Sequence, residues 1–140
     1  MSGDAIASPP SWFWLLLGEA RPNLATLCRA LEVLPRDRLV EYACFYRDAS
    51  QALSDDEGAE KLCDWVVAQG EAYWKKALAR GGKLDAVARD FEKDQAEPDA
   101  KRSWSSNVEE AAYQGFESPR AVVFPIFKKR FREDLQDLID

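Results

Sequence analysis

Four carboxylates, Asp55, Asp56, Glu57 and Glu60, crowd into one short stretch of the chain. Carboxylates held close together push their pKa values apart, and such a pair can serve as general acid and base or hold a divalent cation. The stretch lacks the D-x-[DN]-x-[DN]-G spacing of a calcium loop. The same residues, following Ser54, also make an ordinary helix start. Oxygen acceptors there cap free amides, and negative charge meets the positive end of the helix dipole.

Other chemistry is excluded by residue type. None of the 140 residues is histidine, so serine–histidine and cysteine–histidine nucleophiles and histidine-ligated zinc are absent. No glycine-rich phosphate loop, G-x-S-x-G elbow or H-E-x-x-H pair occurs. The three cysteines, Cys28, Cys44 and Cys63, form no C-x-x-C pair and lie in apolar helical patterns, as small buried hydrophobes do. The sequence therefore supplies no catalytic residues and calls for no cofactor and no bound metal. The alternative is a carboxylate-dependent metal-binding domain or enzyme built on the Asp55–Asp56 turn.

Two further groupings bear on binding. Lys128-Lys129-Arg130-Phe131-Arg132 is the densest basic run, but Glu133, Asp134, Asp137 and Asp140 follow at once, which suits a solvated helix face with internal ion pairs. Near the start, Trp12, Phe13 and Trp14 are adjacent. Successive helical residues point about 100° apart, so these three cannot all face one core. At least two are expected inside, with one left for a neighbour. Trp12 and Trp14, together with Asp55, Asp56, Glu57 and Glu60, are the candidate partner-binding residues. A small ligand held among Trp12, Trp14 and Trp65 is a weaker third reading.

Helices must position these groups. Residues 1–10 read as a flexible tail, and Ser11 caps a short helix through Leu17. Pro22 opens a second helix with Leu24, Leu27, Cys28, Leu31 and Leu34 on one face. A third spans 35–53 through Leu39, Tyr42, Ala43, Tyr46, Ala49 and Leu53. A fourth spans about 57–80, with two adjacent apolar lines and a Gly81-Gly82 stop. Gly70 inside it marks either a close helix approach or a break. A shorter helix runs from Lys83 to Phe91, followed by an exposed loop from Glu92 to Ser103. Ser106 to Glu109 fits a capping box that starts a helix through Tyr113. Phe124, Phe127, Phe131, Leu135 and Leu138 mark a last helix, which Pro125 either starts or kinks.

These elements predict an all-α fold, a compact array of six or seven helices in one domain over 11–140. Composition agrees: 46% hydrophobic and 31% charged residues suit a folded domain. A net charge of −6 disfavours nucleic acid and anionic membrane and suits a basic protein partner. The apolar run Trp12 to Leu17 falls far short of the roughly 20 residues of a membrane span, and no signal peptide opens the chain. Cytoplasmic residence is the expectation.

Four blocks carry a resemblance. Phe13-Trp14-Leu15-Leu16-Leu17 comes first, then Leu34-Pro35-Arg36-Asp37-Arg38-Leu39-Val40. Ser54-Asp55-Asp56 and Trp65-Val66-Val67-Ala68-Gln69-Gly70 follow. In that order they resemble the bacterial family termed domain of unknown function 4240, over about residues 12–80. Members usually carry an aromatic, glycine-rich insert where this chain passes directly from Leu53 to Ser54. The resemblance implies a small bacterial cytoplasmic helical domain and no particular activity. With acidic charge and no catalytic motif, the expected function is a non-enzymatic protein–protein interaction module, an immunity or regulatory protein binding a partner protein.

Overall fold

The computed structural model describes residues 8–54, 56–81, 83–98, 101–104 and 119–139, without the side chain of Glu57. The fold is all-α, and no β-strand occurs among the described residues. Among the described residues eight α-helices follow in order: α1 Ser11–Ala20, α2 Leu24–Glu32, α3 Arg36–Leu53, α4 Glu60–Ala68, α5 Glu71–Ala79, α6 Asp85–Ala96, α7 Val123–Phe131 and α8 Leu135–Ile139. A 3₁₀ turn, Glu57–Ala59, leads into α4. The count exceeds the expected six or seven because two expected helices are each broken in two.

The first break is at Gly70. Its φ of 107° lies where side chains with a Cβ are strained, so α4 stops at Ala68 and α5 starts at Glu71. The second is at Arg132, whose φ of 59° is left-handed and ends α7, so the Phe124–Leu138 stripe does not form one helix. Pro125 lies in the first turn of α7, where its missing N–H costs no helical bond. Val123 and Phe124 are therefore helical, and Pro125 neither starts nor kinks the helix.

Starts and stops differ elsewhere for local reasons. Ser11 is the first helical residue, and Pro10 holds the cap position without a side-chain bond. Asn23, not Pro22, starts α2: its side-chain oxygen accepts from the Thr26 amide at 3.2 Å. That cap is worth about 1 kcal/mol. Helix α6 begins at Asp85 and continues through residues expected to be loop, ending at Ala96. The capping box at Ser106 and the helix through Tyr113 lie outside the described residues.

Helix α3 organises the core. Leu39, Tyr42, Ala43, Tyr46, Ala49, Ser50 and Leu53 are buried at steps of three and four. It packs against α4 and α5 on one side and α7 and α8 on the other, while α1 covers α2 and α6 lies on α4. On α4, Cys63 to Ala68 are buried without interruption. Four large aromatics here satisfy their polar ends on main-chain oxygens. The Tyr42 hydroxyl donates to Pro119 O and the Tyr46 hydroxyl to Asp64 O, both at 2.7 Å. The Trp74 indole donates to Ala49 O at 2.9 Å and that of Trp104 to Ala68 O at 2.8 Å. Each bond makes burial of a polar-tipped ring affordable across two elements.

Candidate functional site

Within the acidic stretch, Ser54 and Asp56 shape the turn that leads into α4. Ser54 Oγ accepts from the Asp56 amide at 3.2 Å, and Asp56 Oδ1 accepts from the Gly58 amide at 3.0 Å. The Asp56 carboxylate thus organises the 3₁₀ turn before α4. Asp55 lies outside the described residues, as does the Glu57 side chain. Asp56 and Glu60 do line a common cleft of about 240 Å³ with Ser50, Gln51, Ser54, Cys63 and Arg120. Among the described residues, no three His, Cys, Asp or Glu side chains are grouped to hold a metal ion.

Beneath that cleft lies a charge cluster not anticipated from the sequence. Asp64 is buried, and its Oδ1 accepts from Ser50 Oγ at 2.6 Å and from Arg120 Nη1 at 3.1 Å. Burial raises the Asp64 pKa above the ordinary carboxylate value, while the Ser50 hydroxyl and the Arg120 guanidinium oppose the rise. These bonds join α3, α4 and the segment entering α7. Burial pushes the neighbouring Cys63 thiol up to about 11, so it stays protonated near neutral pH. The one sequence signal was an aspartate set among continuously apolar neighbours, and nothing local could have named Arg120 as its partner.

The aromatic candidates separate. Trp14 is buried, with its ring 5.4 Å from that of Trp74, and is a core residue, not a partner contact. Phe13 is fully buried beside it. Trp65 is buried against Tyr73 and Phe91, and its indole donates to Asp94 at 2.9 Å. Trp12 meets Phe13 and Phe45. Trp12, Trp14 and Trp65 share no ring contact with one another, so they do not form one ligand pocket.

Trp12 alone is only partly buried, and it lines an apolar groove of about 500 Å³. Leu15, Leu16, Leu34 and Pro35 line the groove with it, and Glu19 and Arg38 supply its charged edge. Positions 12, 15, 16 and 19 recur at helical spacing along one face of α1. Phe13, Trp14, Leu17 and Ala20 occupy the opposite, buried face. Helix α1 is therefore apolar on two sides, one buried and the other only partly covered, with Trp12 and Leu16 packed against the core and Leu15 exposed. Leu15, at the middle of the open face, is 60% exposed, and Val33 beside Leu34 is 80% exposed.

The far wall is held from behind. Arg130 donates to Leu34 O at 2.6 Å, satisfying a carbonyl left free where α2 ends. Pro35 then starts α3, which carries Arg38 back over the groove. The Arg38 guanidinium stands 4.5 Å from the centre of the Trp12 ring. Sequence reasoning identified Trp12 but missed Leu15, Leu16, Leu34, Pro35, Glu19 and Arg38. Comparison with protein-family models, curated proteins and solved structures finds no match to the chain. No helix among the described residues is long and apolar enough to cross a membrane.

Proposed function

We propose that this protein is a non-enzymatic interaction module whose groove between α1 and the α2–α3 corner docks a partner protein. The observation that carries the reading is the open apolar face of α1, with Leu15 at its centre and Glu19 and Arg38 at its edge. A helix apolar all round is an interior helix, so a surface that leaves one side uncovered is suited to association. The titratable groups elsewhere support the same reading. Asp56 serves a turn, Asp64 is ion-paired with Arg120, and Cys63 is a protonated thiol.

The order of the Phe-Trp, Leu-Pro, Ser-Asp-Asp and Trp-to-Gly blocks supports placing the chain with the bacterial domain of unknown function 4240. An immunity or regulatory protein acting in the cytoplasm is the concrete form of the proposal. The acidic surface favours a basic contribution from the partner. The test compares the tagged protein with its Leu15→Lys variant in capture from the native lysate. Lysine is a good helix former and can pair with Glu19 one turn on, so the variant keeps its fold. A protein retained by the wild type and lost by the variant is the expected result. Identical captures, or none by either, would overturn the reading.

A further inference from the structure

Resting on the docking role of the groove, we infer that its occupant is a second copy of this chain, joined by antiparallel packing of α1 on α1 about a two-fold axis. The argument comes from the distribution of charge along the face. Arg38 lies over Trp12, at the N-terminal end of the apolar row, and Glu19 closes the row at the C-terminal end. Glu19 lies seven positions after Trp12, a span of about 10 Å at 1.5 Å per residue. The midpoint falls between Leu15 and Leu16.

That arrangement is complementary to itself. A two-fold interface brings the same patch together from both sides, so each feature must meet its opposite on the other copy. When two such rows run antiparallel, Leu15 and Leu16 of one copy meet Leu15 and Leu16 of the second at the axis. Glu19 of each then faces the Trp12 end of the other, where Arg38 stands. Parallel packing would instead set Glu19 against Glu19 and Arg38 against Arg38. Glu19 has no ion pair among the described residues, whereas Arg38 reaches only Glu41, at 3.8 Å. Both ends are thus available for a pair across the interface.

The centre supplies affinity and the ends supply orientation. Leu15 is the most exposed apolar residue on the row, and its burial against the second copy's leucines removes apolar area from water on both sides. The face is short, one helix and a corner, which places the contact among small, concentration-dependent interfaces. A separate helix-bearing protein would need apolar residues at the same spacing, with a base at one end and an acid at the other. This chain carries that pattern itself.

Sedimentation equilibrium of the full chain, from micromolar to millimolar, tests the inference. The wild type is expected to show a concentration-dependent monomer–dimer equilibrium that Leu15→Lys abolishes. Glu19→Lys alone and Arg38→Glu alone should each weaken the dimer about tenfold, since symmetry turns both pairs repulsive. The double variant Glu19→Lys/Arg38→Glu should recover most of that loss, because the pairs re-form with signs exchanged. Circular dichroism of each variant establishes that it is folded. A wild type that is monomeric throughout would overturn the second copy as occupant, as would a dimer indifferent to Leu15→Lys or one the double variant fails to restore. If Leu15→Lys still abolishes lysate capture of another protein in that event, the docking role survives with a different occupant. If it changes neither, both fail.

Discussion

Arg38 of α3 stands 4.5 Å over the ring of Trp12 on α1, so one residue both covers an aromatic and fixes the positive end of the groove. A guanidinium over an indole at a partly exposed site contributes about 0.5–1 kcal/mol. Arg38→Gln should therefore lower stability by no more than about 1 kcal/mol in urea unfolding. Trp12 fluorescence should respond to the same change. A loss of several kcal/mol would mean that Arg38 holds the fold together rather than shaping a surface.

Trp14 and Trp74 share a ring contact but differ at their polar ends. The Trp74 indole donates to Ala49 O, while the buried Trp14 Nε1 has no partner among the described residues. Phenylalanine at either site loses part of a ring, but only at 74 does it also remove an indole-to-carbonyl hydrogen bond. Trp74→Phe should cost about 1–2 kcal/mol more than Trp14→Phe, measured by urea denaturation. Equal costs would contradict this difference.

Asp64 and Asp94 should respond to pH with opposite signs. Burial raises Asp64, so its ionisation in the folded state opposes folding as pH climbs through its folded pKa. Arg120→Gln removes the guanidinium 3.1 Å away and should raise that pKa further. The variant's deficit, about 2–4 kcal/mol at neutral pH, should shrink in acid once Asp64 is protonated. A deficit that stays constant with pH would show that Arg120 acts through packing alone.

Burial also pushes Asp94 up. The Ser103 amide and hydroxyl, both at 2.7 Å, and the Trp65 indole at 2.9 Å more than offset this and hold its carboxyl below the usual range. Its stabilisation is present above the unfolded value near pH 3.9 and is lost as pH falls through the lower folded pKa. Asp94→Asn should therefore be most damaging near neutral pH and least in strong acid. Unfolding curves at pH 7 and pH 3 check this.

Arg132 has a φ of 59° and ends α7 in the left-handed conformation. A side chain there costs about 1–2 kcal/mol, part of which glycine returns as greater freedom in the unfolded chain. Arg132→Gly should raise stability by about 0.5–1 kcal/mol, visible as a higher midpoint in thermal unfolding. A lower midpoint would mean that the arginine side chain makes up the backbone cost.

The buried face of α3 was legible because Leu39, Tyr42, Ala43, Tyr46, Ala49 and Leu53 keep a period that only a helix satisfies. The breaks were less so. Gly70 permitted either reading, and choosing between them required its φ. Nothing about arginine announces a left-handed residue, so Phe124 to Leu138 read as one stripe through Arg132. The polar end of α6 read as loop because its residues face water, yet Asp94 there anchors Ser103 and Trp65. At α1, adjacency alone showed that Trp12, Phe13 and Trp14 cannot all be equally buried. That Trp12 is the partly exposed one depended on α3 and α5, far away in sequence. The groove was hidden for the same reason: Leu15 looks like core until the packing leaves it exposed.

The most direct test of the docking surface is photo-crosslinking in the native cell, with p-benzoylphenylalanine placed at Leu15 and, for comparison, at exposed Arg89 on α6. The account predicts one discrete protein adduct from position 15 and none from position 89. An adduct of twice the chain mass identifies a second copy, and any other mass identifies a different docked protein. No adduct from position 15, or the same adducts from both positions, would contradict the claim that this groove is where the protein meets its partner.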